Sequence, residues 1–105
     1  MPGANKEATW TVRDEVDVRV LVVTGELEMA TADAFATDGV DLVMNLPANA
    51  QLKMDLSGVT FIDSTGLRAL LQIHSHAPAT VVLRNPSAPV LRLLDMTVGG
   101  LFTVE

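Results

Sequence analysis

Asp63-Ser64-Thr65-Gly66-Leu67 is the stretch of this chain that best indicates its fold. It follows a run typical of a buried strand at residues 52–56 and an apolar pair at residues 61–62, and apolar residues then recur at helical spacing. An apolar strand, a polar turn and an amphipathic helix in this order are typical of an α/β unit. We therefore predict a helix over residues 64–75 that presents a serine where it meets the preceding loop.

The serine of this stretch has two interpretations. Ser, Thr and Asp are preferred helix caps, so the motif could do no more than begin a helix. The free backbone N–H groups and the dipole at a helix N-terminus also favour negative charge, which suits a serine that carries a phosphate. Spacing alone favours the cap, because helix caps are far more common than phosphoserine switches.

Composition indicates one folded domain without a nucleic-acid-binding surface. The chain has 105 residues, of which 49% are hydrophobic, and a net charge of −6; these values fit a single core and argue against nucleic acid as a partner. It has no cysteine, which excludes disulfides, thiolate catalysis and cysteine-ligated zinc. We see no signal peptide and no apolar stretch long enough to cross a membrane, so we expect a cytoplasmic protein.

Alternation of apolar and polar residues predicts a strand at residues 10–12 and another at residues 18–24, joined as a hairpin with the second strand inside the sheet. The turn at residues 25–28 is predicted to end that second strand. A helix is predicted over residues 32–46 with Thr31 as its N-cap and Pro47 at its end. Another is predicted over residues 87–96, with Ser87 or Ala88 as its N-cap. Further strands are predicted at residues 53–56, 80–83 and 102–104, which together give a mixed sheet with helices on one or both faces.

The spacing of the candidate residues argues against a catalytic serine and against a histidine metal site. Ser64 and His74 are ten residues apart on one predicted helix, a rise of about 15 Å, so no base reaches the serine, and a hydrolase that uses Asp63 and Ser64 is rejected. His74 and His76 do not share a helix face, so they cannot ligate one metal. We expect His74 at the edge of the core, His76 in solvent, and Asp55 bonded to nearby backbone groups at the end of its strand.

Four stretches in register resemble STAS domains of the bacterial anti-sigma factor antagonist type. In chain order they are Gly25-Glu26-Leu27-Glu28 with Thr31, Asp55-Leu56-Ser57-Gly58-Val59-Thr60-Phe61-Ile62, Asp63-Ser64-Thr65-Gly66-Leu67, and Asn85-Pro86-Ser87-Ala88-Pro89-Val90-Leu91-Arg92-Leu93-Leu94-Asp95-Met96-Thr97. The resemblance implies an α/β fold over residues 9–105, a four- to five-stranded mixed sheet with about three to four helices, after a flexible tail at residues 1–8. Glu28 and Arg68 depart from the family pattern, which usually has aspartate and often glycine at these positions.

The resemblance also implies a non-enzymatic regulator of bacterial transcription in the stress response. The unphosphorylated chain would bind an anti-sigma factor that is also a serine kinase, and so release a sigma factor. Phosphorylation of Ser64 by that kinase would end the binding, and a phosphatase would restore it. ATP and magnesium would belong to the kinase, so the chain itself would need no cofactor, and it would be monomeric when free. The alternative is a STAS scaffold or transporter-associated module that is never phosphorylated.

The residues predicted to bind the partner occupy two turns and the first turn of a helix. They are Glu26, Leu27, Glu28, Met29, Thr31, Asp63, Ser64, Thr65, Gly66, Leu67 and Arg68. Met29 either makes an adaptable contact with the partner or packs under the first helix. Arg68 follows Ser64 by one helical turn, so it either points back at a phosphate on that serine or is a solvated arginine.

Overall fold

A computed structural model describes residues 8–77, 80–97 and 100–105. The elements in chain order are β1 (Thr9–Glu15), β2 (Val18–Leu27), α1 (Met29–Met44), β3 (Gln51–Ile62), α2 (Ser64–His76), β4 (Thr80–Arg84), α3 (Ala88–Met96) and β5 (Thr103–Val104). Three predicted features fall wholly or partly outside the described residues. They are most of the tail at residues 1–8, the link at residues 78–79 and the expected helix end at Gly99.

The strands form one five-stranded sheet in the order β1-β2-β3-β4-β5. β1 and β2 pair antiparallel as a hairpin, whereas the other three neighbouring pairs are parallel. The predicted mixed sheet, the hairpin and the internal position of the second strand are therefore confirmed. Each helix connects a strand to its next parallel neighbour in the same direction across the sheet, and right-handed crossovers of this kind place all three helices on one face.

The core lies between this face of the sheet and the helices. Leu21, Met54 and Leu83 occupy facing register positions on three adjacent strands, and all three are buried. Every helix adds side chains to the same cluster, among them Phe35, Leu70 and Val90. The three helices of the described residues therefore lie on one face of the sheet. The sequence pattern had left open whether they lie on one face or on both.

Both strands that lead to the candidate site are longer than predicted. Gly25 does not end β2, because it adopts a φ of 91° and the ladder to β3 shifts register beside it while the strand continues to Leu27. β3 likewise continues past its predicted end to Ile62. Asp55 accepts hydrogen bonds from the backbone N–H of Ser57 at 3.0 Å and from its hydroxyl at 2.7 Å, so the expected local bonding is confirmed, but it marks an irregularity within the strand.

The predicted cap of the first helix was wrong. α1 begins at Met29 with Glu28 as its N-cap, and Thr31 is the third helical residue, whose hydroxyl accepts a hydrogen bond from the Glu28 N–H. Such a reciprocal capping box uses both side chains, which explains why either one can be mistaken for the cap. The helix ends at Met44, three residues before Pro47, so that proline does not end it.

β1 is also longer than predicted, since it runs from Thr9 to Glu15 instead of over residues 10–12, whereas the remaining boundaries agree closely with the predictions. α2 extends one residue beyond its predicted end, and Ser87 is the N-cap residue of α3, without a side-chain capping bond. β5 begins at Thr103, one residue later than predicted. Phe102 is buried, and its ring centroid lies 5.2 Å from that of His74. His74 is thus half-buried at the edge of the core and His76 is exposed, as expected.

Candidate functional site

The candidate site lies where β3 passes into α2, beside the start of α1. The N–H of Asp63 donates a hydrogen bond to the carbonyl of Leu27 at 3.2 Å, which joins the end of β3 to the end of β2. A Cβ atom on Gly66 would lie only 2.4 Å from the same carbonyl oxygen, so the two turns approach as closely as a glycine allows. Two helix N-termini therefore stand side by side at the carboxyl edge of two parallel strands.

Asp63 is the N-cap of α2. Its Oδ1 atom accepts hydrogen bonds from the N–H groups of Thr65 and Gly66 at 2.9 and 3.2 Å and from the Thr65 hydroxyl at 2.5 Å. Burial acts to raise the pKa of Asp63, but these hydrogen bonds outweigh it and hold the pKa below its ordinary value. The carboxylate is therefore ionised at neutral pH and committed to the cap.

Ser64 is the first residue of α2 and is exposed. The capping bonds at this terminus come from Asp63, so the helix does not use the Ser64 hydroxyl as its cap. Asp63 is also a poor general base for that hydroxyl, because its lowered pKa and its three donors both reduce its tendency to take a proton. The geometry presents an accessible serine hydroxyl beside a carboxylate that is committed to the helix cap.

The turn between β2 and α1 is held by its own side chains. The Glu28 carboxylate accepts from the Ala30 N–H at 3.0 Å, and the Thr31 hydroxyl donates to the Glu26 carbonyl at 2.7 Å. Thr31 and Glu28 are both half-buried. These two residues thus fix the shape of the turn that carries Met29.

Burial divides the predicted partner-binding residues into three groups. Leu27, Gly66 and Leu67 are buried; the two leucine side chains support the site from beneath, and Gly66 allows the close approach of the two turns. The half-buried members are Glu26, Glu28, Thr31, Asp63 and Thr65, and the exposed ones are Met29, Ser64 and Arg68. That arrangement leaves a small exposed surface on a rigid base; contact of these residues with a partner stays a prediction.

Two apolar side chains at this end of the sheet face solvent. Met29 is 77% exposed, so it does not pack under the first helix. Phe61 is 48% exposed, and the sequence reasoning did not select it as a site residue. Its neighbour Ile62 is buried, and the alternation of side chains along a strand was the signal that could have identified Phe61 as a surface residue.

Neither a metal site nor a membrane span is found in the described parts of the chain. Over residues 8–77, 80–97 and 100–105, no three His, Asp or Glu side chains converge as metal ligands would. Among the helices of the same ranges, none has the length and apolar character needed to span a bilayer.

Comparison with known proteins agrees with this architecture. The chain aligns with the crystal structure of an anti-sigma factor antagonist from Mycobacterium paratuberculosis at 30% identity and a TM-score of 0.78, covering 96% of this chain and 87% of that one. A putative anti-sigma factor antagonist from Thermotoga maritima gives 25% identity and a TM-score of 0.75, with 90% and 84% covered. Unphosphorylated SpoIIAA, an anti-sigma factor antagonist, shares the fold at 13% identity and a TM-score of 0.65, with 92% and 87% covered.

A search of curated proteins gave no match. A family model described as "Mlab, STAS domain" matches residues 10–99, which is most of the chain. The motifs predicted a four- to five-stranded mixed sheet with about three to four helices, and the described ranges contain five strands and three helices. The solved structures share this fold. The chain belongs to the STAS domain family.

Proposed function

We propose that this protein is an anti-sigma factor antagonist whose binding is switched by phosphorylation of Ser64. The observation that carries the proposal is that the helix is capped by Asp63 and not by Ser64. Asp63 caps the helix, so the Ser64 hydroxyl is exposed at the surface and is not needed for the fold. The likeness to structures of anti-sigma factor antagonists supports the partner class.

The partner would be an anti-sigma factor with serine kinase activity, and the kinase would supply ATP and magnesium. Ser64 Oγ forms a bond to the γ-phosphorus of ATP, the bond from that phosphorus to the β–γ bridging oxygen breaks, and ADP leaves. The hydroxyl proton passes to a base of the kinase, since Asp63 is occupied by the cap. A phosphatase would hydrolyse the ester and restore the binding form.

Thr65 is the competing acceptor in the motif, and its surroundings argue against it. Its hydroxyl donates to Asp63 at 2.5 Å, and the residue is half-buried. Phosphorylation there would remove that bond and place a dianion beside the Asp63 carboxylate. Ser64 has neither obstacle, so we expect it to be the sole acceptor.

Charge explains how phosphorylation would end the binding. The exposed apolar side chains of Met29 and Phe61 suit a desolvated contact beside Ser64. A phosphate adds about −1.5 to −2 charges at pH 7, which a close-packed contact would have to desolvate next to Glu28 and Asp63. Release of the anti-sigma factor would then allow it to hold its sigma factor again, as part of a stress response in the bacterial cytoplasm.

The test uses the kinase partner isolated from the native host. Calorimetry should give equal affinities for the wild type and Ser64→Ala, and a roughly 5- to 150-fold weaker affinity for Ser64→Asp, as an unpaired interface charge costs about 1–3 kcal/mol. Ser75→Asp is the matched control, because Ser75 is exposed and lies about 16 Å away along the same helix. Incubation with ATP should label the wild type at Ser64, as mapped by mass spectrometry.

Two results would contradict the proposal. If Ser64→Ala were still fully phosphorylated, the acceptor would be another residue. If Ser64→Asp and Ser75→Asp bound the kinase partner with equal affinity, Ser64 would lie outside the contact. A chain that no cognate kinase modifies would instead be the STAS scaffold or transporter-associated module considered from the sequence.

A further inference from the structure

We propose that Arg68 pairs with the phosphate of phosphorylated Ser64 in the same chain and partly neutralises it. This inference rests on the proposed phosphorylation of Ser64, because it concerns the modified state of that residue. It assigns a partner to the phosphate that comes from the chain itself.

Geometry places Arg68 within reach of Ser64. Both residues are exposed and stand four apart on α2, so they lie on one face of the helix, one turn apart. Helical side chains lean toward the N-terminus, which directs the arginine back toward the serine. An anion placed four residues before a cation is also the favoured order for such pairs.

The helix terminus itself has little left to offer a phosphate. Asp63 Oδ1 already accepts from the N–H groups of Thr65 and Gly66, and the Leu67 N–H donates to the Asp63 carbonyl at 3.0 Å. The N–H groups of Thr65, Gly66 and Leu67 are therefore occupied by Asp63. A phosphate on Ser64 has to find its counter-charge on a side chain.

Arg68 is the cation that remains for this role. Within the described residues it has no ion pair, and neither does Arg92 on α3; the other four basic side chains pair with carboxylates, namely Arg13, Arg19, Lys53 and Arg84. The starts of the two helices are rich in carboxylates, those of Glu26, Glu28, Asp33 and Asp63. This surplus makes a cation four residues along the helix the natural partner of a new anion.

The pair would have two consequences for the switch. It would reduce the net charge that the modification adds to the contact surface. It would also cover part of the phosphate ester, so a phosphatase would release it more slowly from the wild type than from a chain without the arginine.

The experiment reads the phosphate directly by phosphorus NMR. Phosphoserine is installed at position 64 during translation, so that no kinase is needed, and its second pKa, about 6 in peptides, is measured by titration. A neighbouring guanidinium lowers this pKa, so we expect Arg68→Gln to raise it by about 0.15–0.4 pH unit, the size expected for an exposed pair of this spacing. Arg68→Lys should restore part of the shift, and Arg92→Gln is the matched control.

An unchanged pKa in Arg68→Gln, relative to the wild type and Arg92→Gln, would overturn the inference. So would a pKa in Arg68→Lys as high as in Arg68→Gln, because charge would then not be the cause. A failure of the proposed function would look different: the shift would be present in the installed phosphoserine, while the native kinase would leave Ser64 unmodified.

Discussion

Asp63, Ser64, Thr65 and Gly66 are consecutive in the chain, yet each has a different task. The Asp63 carboxylate caps the helix, the Thr65 hydroxyl adds a third bond to that carboxylate, and Gly66 lets α2 begin against the end of β2. Only Ser64 makes none of these supporting contacts. A residue that the fold does not need is one that a kinase can modify without unfolding the protein.

Gly66 should tolerate no side chain. In Gly66→Ala the new methyl group would meet the Leu27 carbonyl oxygen at 2.4 Å and Ile62 Cγ1 at 2.8 Å, and overpacking of this kind destabilises by about 1–3 kcal/mol. Urea denaturation of the purified variants measures the loss. Gly100→Ala is the control, since no atom lies within 4 Å of its added Cβ; equal stability of the two variants would disprove the close approach.

At the scale of elements, α1 and α2 begin together and remain in close contact. A Cβ on Gly39 would lie 2.3 Å from Cδ1 of Ile73, so α1 packs closely against α2 at the buried Gly39. The caps Glu28 and Asp63 each place a carboxylate at a helix N-terminus, where the dipole favours it. The site is therefore built from two capped helices.

The Asp63 cap should contribute pH-dependent stability to α2. Asp63→Ala should lose about 0.5–2 kcal/mol at neutral pH, the usual cost of removing a cap. Because the folded-state pKa is lowered, the stabilising effect of the carboxylate is present above its ordinary value of 3.8 and is lost as the pH falls through the folded pKa. Urea titrations at several pH values should show the two proteins converging in acid.

Asp63→Asn separates the two contributions of the cap. Asparagine is a comparable capping residue without a charge, so it should retain most of the stability at neutral pH and lose the acid dependence. A wild type and an Asp63→Ala variant that differ by the same amount at all pH values would show that folding does not lower the pKa of Asp63.

At the scale of the whole molecule, the face of the sheet opposite the helices is crossed by charges. Arg84 binds Glu15 at 3.3 Å and Glu105 at 3.2 Å, and Lys53 binds Glu105 at 2.5 Å. Val20 and Val82 flank Lys53 in the ladder and are buried on this face, although no helix covers it. The aliphatic parts of Lys53 and Arg84, which are only 15% and 19% exposed, provide the cover.

This network should weaken in acid. The hydrogen bond from Arg84 lowers the pKa of Glu15, and those from Lys53 and then Arg84 lower the pKa of Glu105, so the stabilisation they give is present above 4.5 and is lost as the pH falls below it. Arg84→Gln should therefore reduce the acid dependence of the urea midpoint, whereas Arg92→Gln should leave it unchanged. An acid dependence as steep in Arg84→Gln as in the wild type would show that the network contributes nothing.

Local signals in the sequence determined the order of the elements and the place of Ser64. Apolar periodicity and turn residues act over a few positions, and for this reason the hairpin and the mixed sheet were predicted correctly and the bounds of α2 to within one residue. The same local patterns gave the wrong cap, Thr31, because both members of a reciprocal capping box are plausible caps when no contact is known. They also ended β2 and β3 too early, since a bulge within a strand looks like a turn.

Only the tertiary structure decided what depends on residues far apart in the chain. Four features require the folded sheet to bring distant segments together. They are the fit of Gly66 against Leu27, the exposure of Phe61, the helices on a single face and the ion pair between Glu15 and Arg84. The role of Asp63 depends on both sequence and structure. Its residue type suggested a helix cap, but only the hydrogen bonds in the structure showed that Asp63 is the cap and that Ser64 is left exposed. Pattern identifies which residues stand at the candidate site, and packing determines which of them are exposed.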